Sequence, residues 1–327
     1  MKQINHNIVL IADRVYDDDF DLSGNELEKI GNQYFESLFN SLSKITLQLT
    51  HYNEPKDFIK NIEKHKNDIV FTVYGGCQSR NRMALIPAIC ESYNIKYVGA
   101  DTYARIICQD KQVSKEIAKD FQIKTAKYLL IRKPENFDLI STLKLPLVVK
   151  PLYEGSSIGI DSNSLCRDYN SAKTKAITLL SQFKQPVLME EFISGKELVG
   201  CFIGNNDKII LKEFVEVVSP ENENYFLSNL FTAENKHTEK IPFIHRKICD
   251  DMLIKEMPKL IDLFLSLGKM DFMRIDGRLT DDGFYLIELT PDAYIGDDCS
   301  FADIYNSIGK SYEELLYDII NAALSNY

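Results

Sequence analysis

An apolar run from Leu145 to Val149 ends on Lys150 and passes straight into Pro151-Leu152-Tyr153-Glu154-Gly155-Ser156-Ser157-Ile158-Gly159. A strand that ends in lysine and opens into a glycine- and serine-rich loop is suited to phosphate. The glycines let backbone N–H groups come close to an anion, the Ser156 and Ser157 hydroxyls add donors, and Lys150 supplies a compact charge. The spacing matches neither G-x-x-x-x-G-K-[ST] nor G-x-G-x-x-G, the two commonest phosphate motifs. A solvated surface turn is the competing reading for such a Gly/Ser cluster.

A second constellation lies far downstream. Met273-Arg274-Ile275-Asp276-Gly277-Arg278 and Phe284-Tyr285-Leu286-Ile287-Glu288-Leu289-Thr290-Pro291 flank Thr280-Asp281-Asp282-Gly283. Asp-Asp-Gly between alternating apolar runs is a hairpin signal, and pairing the two strands brings Asp276 and Glu288 onto neighbouring positions. Two carboxylates side by side on rigid strands can hold Mg²⁺, with the remaining coordination supplied by water and nucleotide phosphates. A pair of surface carboxylates on an ordinary hairpin is the alternative.

Together these segments resemble the ATP-grasp superfamily, and the order of the parts resembles its D-alanine–D-alanine ligase and related carboxylate–amine ligases. The resemblance also rests on Tyr97-Val98-Gly99-Ala100-Asp101, on Gln109-Asp110-Lys111 and on Val187-Leu188-Met189-Glu190-Glu191-Phe192-Ile193-Ser194-Gly195-Lys196-Glu197-Leu198. Asp297-Asp298-Cys299-Ser300-Phe301 and Ser311-Tyr312-Glu313-Glu314-Leu315 complete it. It implies an α/β chain with α+β elements, a three-domain ATP-grasp fold with an N-terminal parallel-sheet domain. It also implies ATP as nucleotide, Mg²⁺ with Mn²⁺ as an alternative ion, small amino-acid or carboxylic-acid substrates, and a homodimer.

By position, the resemblance implies that Lys111 and Lys150 contact the ATP phosphates and that Ser156 and Ser157 belong to the loop that closes over them. Glu190 and Ile193 align with adenine-binding positions, and Glu197 with the ribose-binding acid. Asp276, Glu288 and Thr290 align with metal-binding positions. Arg274 and Ser157 are the candidate catalytic groups, Arg274 toward developing oxyanion charge.

Composition narrows the class further. A chain of 327 residues has room for two or three domains, and 45% hydrophobic with 26% charged residues is ordinary for a soluble globular protein. A net charge of −10 argues against an electrostatic nucleic-acid binder. No apolar run approaches the roughly 20 residues of a membrane span, and the N-terminus reads as a first strand, Ile8 to Ala12, instead of a signal peptide. Seven cysteines without C-x-x-C spacing suggest reduced thiols in a cytoplasm, and five scattered histidines speak against zinc.

Strand and helix patterns alternate over residues 1–100, which implies a mostly parallel sheet. Helices are expected over 25–42, 56–66 and 83–93. Residues 101–190 form an expected central, lid-like piece, with helices over 111–121 and 171–182. Residues 191–327 form a C-terminal piece carrying the carboxylate hairpin and helices over 250–267 and 312–325. Residues 221–224 and 233–236 read as polar loops.

The departures from the family fall at the acceptor side and the second metal. The G-G-x-S-x-E pattern expected after the first strand is replaced by Ala12-Asp13-Arg14-Val15-Tyr16-Asp17-Asp18-Asp19-Phe20, and an H-G element by Tyr74-Gly75-Gly76-Cys77 followed by Arg80 and Arg82. The metal motif E-x-N becomes Glu288-Leu289-Thr290. Arg14, Arg80 and Arg82 can fork onto a substrate carboxylate or phosphate or lie on the surface, and the acidic 17–21 run can be solvated or amine-binding. Three functions fit: an ATP-dependent carboxylate–amine ligase making an amide or dipeptide through an acyl phosphate from other substrates, a true D-alanine–D-alanine ligase of cell-wall synthesis, and a nucleotide-binding protein without turnover.

Overall fold

The computed structural model describes residues 2–14, 29–76, 79–206, 208–232, 235, 241–291 and 293–327. The acidic 17–21 run, the first part of the helix expected over 25–42, Cys77 and most of the 233–236 loop lie outside these residues.

Strands β1 (Ile8–Ile11), β2 (Leu49–Tyr52), β3 (Ile69–Thr72) and β4 (Lys96–Val98) form a parallel sheet in the order β2-β1-β3-β4. β1 and β3 read IVLI and IVFT and are buried throughout, as parallel strands covered on both faces are. The chain leaves β1 toward β2 on one side and β3 on the other, so a crevice opens at the carboxyl ends of β1 and β3. Helices α1 (Asn32–Ile45), α2 (Pro55–Lys60) and α3 (Leu85–Tyr93) belong to this part. The helix expected over 56–66 is divided into α2 and a 3-10 turn, Ile62–His65. There the Asn61 amide donates to the Asp57 carbonyl at 2.9 Å, competing with the backbone donor that would continue the helix.

A second sheet is antiparallel, in the order β6-β9-β7-β8: β6 (Tyr128–Ile131), β7 (Leu147–Pro151), β8 (Leu165–Cys166) and β9 (Val187–Glu191). One face, with Leu147, Val149, Val187 and Met189, packs on Ala172, Ala176 and Leu179 of the next helix. The other face therefore presents Val148, Lys150, Leu188 and Glu190.

The largest sheet runs β12-β11-β10-β13-β14-β5. Its strands are β5 (Lys124–Thr125), β10 (Lys196–Asn205), β11 (Lys208–Val218), β12 (Ile244–Lys247), β13 (Asp271–Thr280) and β14 (Gly283–Thr290). Helices α4 (Thr102–Gln109), α5 (Lys111–Asp120), α6 (Tyr169–Phe183, on the second sheet) and α7 (Asp251–Ser266) follow in chain order. Ala104, Ile107 and Ala118 share one core with Leu260, Phe264, Phe284 and Leu286, and β5 pairs with β14 in parallel. Residues 102–125 belong with the large sheet, because their apolar faces find their partner there while α6 already covers the small one. The opposite face of the large sheet, with α8 (Ser300–Ser307) and α9 (Tyr312–Leu324), shares a core with β1 and α1 through Cys201, Phe272, Leu10, Leu38, Leu42, Leu316 and Ile319.

Candidate functional site

The hairpin of β13 and β14 turns over Asp281 and Asp282, and Thr280, Arg278 and Gly277 face Gly283, Tyr285 and Leu286. Beyond Gly277 the register shifts, and Asp276 faces Glu288 while Ile275 faces Leu289. Ile287 is the extra residue of a bulge. Were Ile287 paired regularly and not bulged, Asp276 would face Ile287, and Glu288 would turn to the other side of the sheet. The core phase records the same slip, with Phe284 and Leu286 buried and then Leu289. Gly277 beside the bulge admits no side chain, since a Cβ there would stand 2.2 Å from the Phe284 ring and 2.6 Å from the Tyr285 carbonyl oxygen.

The resulting face gathers Arg274, Asp276 and Arg278 from β13, Glu288 and Thr290 from β14, and Glu197 from β10, paired across from Arg278. Arg274 forks onto Asp276, Nε to Oδ1 at 2.8 Å and Nη2 to Oδ2 at 2.9 Å. Burial of the guanidinium works against its charge, but the Asp276 carboxylate outweighs it and raises its pKa. Lys111, at the start of α5 and buried, places Nζ 2.9 Å from Glu288 Oε1. Burial alone would raise the Glu288 carboxyl, yet Lys111 and Lys150 hold it below the usual range. Glu197 is paired with Arg278, which also donates to the carbonyls of Ile193 at 3.0 Å, Asn229 at 3.2 Å and Phe226. Burial dominates at Glu197 and pushes its carboxyl up in spite of Arg278.

Across the cleft, Lys150 Nζ lies 2.6 Å from Glu190 Oε1 and Lys115 Nζ lies 2.8 Å from Glu190 Oε2. Lys115 is fully buried and Glu190 is 2% exposed. Burial acts to raise the Glu190 carboxyl, but the two lysines override it and bring it down to about 2. Burial lowers the Lys115 ammonium. The Glu190 carboxylate is thus turned onto two lysines. Lys115 went unnoticed in the sequence, although it stands four residues after Lys111 and so on the same helical face.

The loop after β7 carries Ser156 and Ser157 at φ 50° and 60° and Gly159 at φ 77°. Left-handed backbone at two serines costs energy and is concentrated at functional segments. Ser157 Oγ donates to the Phe231 carbonyl at 3.2 Å, whereas Ser156 is exposed. Arg82 is neither on the surface nor open to solvent, because its side chain is 7% exposed and Nη2 lies 3.2 Å from Glu154 Oε2. At the crevice of the parallel sheet, Asp13 accepts from the backbone N–H groups of Gly75 and Gly76 at 2.9 and 2.8 Å. Burial exceeds these bonds and pushes its carboxyl up to about 6. Arg14 pairs with Glu36 at 2.9 Å.

The donor set suits a hard divalent cation. Asp276 and Glu288 are adjacent, and the buried Thr290 Oγ1 has no hydrogen-bond partner among the described residues. Among those residues no group of three or more His, Cys, Asp or Glu could hold an ion, so the rest of a coordination sphere must come from a ligand and water.

A family model described as D-ala D-ala ligase C-terminus matches residues 93–321. Similar proteins include the D-alanine–D-alanine ligase of Carboxydothermus hydrogenoformans, 25% identical over 300 residues that cover 88% of this chain and 92% of that protein. That of Thermotoga maritima is 25% identical over 289 residues, covering 88% and 90%. Among solved structures, the D-alanine–D-alanine ligase of Bacillus anthracis complexed with ATP superposes with a TM-score of 0.75 at 19% identity, covering 98% of each chain. A D-Ala:D-Ser ligase of Enterococcus faecalis gives 0.69 at 18% identity, covering 98% of this chain and 100% of that one.

Proposed function

This chain belongs to the D-ala D-ala ligase C-terminus family, and from that premise we propose that it is an ATP-dependent carboxylate–amine ligase acting through an acyl phosphate on small amino or carboxylic acids. The observation that carries the reading is the Asp276–Glu288 pair on one face, with Lys111 on Glu288 and Lys150 across the cleft. Carboxylates for a cation and lysines for phosphate are what phosphoryl transfer asks of a protein, whose work there is positioning and electrostatics.

Lys111 and Lys150 contact the ATP phosphates, and Ser156 and Ser157 close over them. Ile193 lines the adenine and Glu197 meets the ribose. Asp276, Glu288 and Thr290 would hold Mg²⁺ or Mn²⁺, which when bound neutralises phosphate charge. A substrate carboxylate oxygen forms a bond to the γ-phosphorus as the bond to the β-bridging oxygen breaks, and ADP leaves. The amine of the second substrate attacks the acyl carbon, and Arg274 stabilises the tetrahedral oxyanion. The amine loses its proton, the C–O bond to phosphate breaks, and an amide remains. Water must be kept out, because an acyl phosphate hydrolyses readily.

The acceptor side supports substrates other than two D-alanines: the loops after β1 and β3 carry Asp13 fastened to Gly75 and Gly76, and Arg14 fastened to Glu36. The D-Ala:D-Ser ligase among the structural neighbours is named for a different second substrate on a similar fold. A D-alanine–D-alanine ligase is the second reading, favoured by the names of the relatives. No helix among the described residues is long and apolar enough to cross a membrane. The six described cysteines are free thiols, which supports a cytoplasmic enzyme; a homodimer is part of the same proposal. The test is ATP-dependent phosphate release with Mg²⁺ over D- and L-amino acids and small carboxylates, with mass spectrometry of products. A new amide beside ADP and phosphate establishes the ligase; D-alanyl-D-alanine alone selects the second reading; ATP binding without turnover on any acceptor overturns both.

A further inference from the structure

Tyr153 and Glu154, the two residues at the base of the glycine- and serine-rich loop, are fastened from several directions. The Arg82 guanidinium, from a 3-10 turn leading into α3, reaches Glu154 Oε2 at 3.2 Å, and Gln185 Nε2 donates to Glu154 Oε1 at 2.6 Å. Gln185 Oε1 in turn accepts from the Tyr153 N–H at 2.7 Å, and Gln109 Nε2 donates to the Tyr153 carbonyl at 2.6 Å. Arg80 Nη1 donates to the Tyr153 hydroxyl at 3.2 Å, its guanidinium 5.5 Å from the ring centre. Lys111 Nζ, already on Glu288, also donates to the Glu154 carbonyl.

Glu154 thus stands between the lysine of the phosphate site and an arginine from the part of the chain that carries the β1–β3 crevice. Its side chain is 13% exposed and that of Arg82 is 7% exposed. A carboxylate so sheltered keeps its place only while its cation is present. Arg82 can hold it in a fixed direction because Nη1 is anchored on the Ser79 carbonyl at 3.3 Å, a fork geometry a lysine lacks.

We infer that the Arg82–Glu154 pair is a clasp that holds the loop shut over the reacting centre, making both side chains positioning residues that keep water from the acyl phosphate. The chemical half of this inference rests on the ligase reading; the geometric half does not. Without the clasp, the bond between acyl carbon and phosphate oxygen is opened by water in competition with the amine, and ATP is consumed without amide.

The experiment compares wild type with Arg82→Gln, Glu154→Gln, the double variant and Arg82→Lys. ADP formed per amide formed is measured, together with hydrogen exchange of the amides of residues 153–160 in the protein without substrates. Each Gln variant should raise ADP per amide on the order of tenfold, with KM for ATP little changed. Each should also speed exchange across the loop. The double variant should be no worse than either single, since both remove one interaction, and Arg82→Lys should recover part of the coupling. Unchanged coupling and unchanged exchange in both single variants would overturn the clasp. If Arg82→Gln does not fold, the near-isosteric Glu154→Gln carries the same test. If wild type makes no amide, the ligase reading fails by itself, and the exchange measurement still decides whether the clasp exists.

Discussion

On the hairpin side of the cleft, Asp276 and Glu288 are set side by side by a two-residue turn and a single bulge. At the crevice of the parallel sheet, Asp13 is instead held by Gly75 and Gly76, 62 and 63 residues away along the chain. The first arrangement is local, and Lys111 and Lys150 hold its Glu288 carboxyl below the usual range. The second is long-range, and its carboxylate is pushed toward neutrality by burial. Phosphate chemistry is the same for every substrate and can be built from short motifs. An acceptor pocket is fitted to one molecule and depends on how distant loops meet.

The sharpest way to break the contrast is Glu288→Gln, which removes one of the two paired carboxylates while the hairpin and its bulge stay. Amide formation should fall on the order of a thousandfold while the chain still folds; a fully active variant with an unchanged melting temperature would refute the role given to the Asp276–Glu288 pair. Next in size is Lys115→Met, which removes one of the two cations on the buried Glu190. Loss of stability on the order of 3 kcal/mol is expected in chemical denaturation, with a rise in the Glu190 carboxyl. A loss below the error of the method would mean that Lys150 suffices alone.

Asp13 gives a smaller and pH-dependent effect. Its folded pKa is raised from 3.8 to about 6, so its contribution to stability is fully present below 3.8 and is lost as the pH rises through about 6. Relative to wild type, Asp13→Asn should therefore gain roughly 2 kcal/mol between pH 4 and pH 7, read from urea midpoints at both values. A difference that does not move with pH would show that Asp13 titrates normally. Least is expected of Thr290→Asn: replacing a hydroxyl by an amide oxygen should tighten Mn²⁺ binding in the presence of ATP by about threefold. A change of activity from none to substantial would instead revive the nucleotide-binding protein without turnover.

The same contrast explains what could be read in the sequence. The hairpin, the adjacency of Asp276 and Glu288, and the strand ending at Lys150 were legible because turn residues and apolar alternation act over a few positions. The phase slip from Leu286 to Leu289 was a visible signal of the bulge. The partner of Glu190 was not legible, because Lys115 comes from a helix 75 residues earlier. Which sheet α4 and α5 cover was not legible, because their apolar face says that a partner exists, not which sheet supplies it. Arg82 was left between surface and substrate because its carboxylate, Glu154, is 72 residues away.

The central claim is that a substrate carboxylate is activated by phosphoryl transfer. The most direct measurement uses the protein with ATP, Mg²⁺, an amine acceptor and a carboxylic acid labelled with heavy oxygen in its carboxylate, followed by mass spectrometry of the phosphate. The account predicts one labelled oxygen in each phosphate released with amide. Unlabelled phosphate, or AMP and pyrophosphate in place of ADP and phosphate, would contradict it.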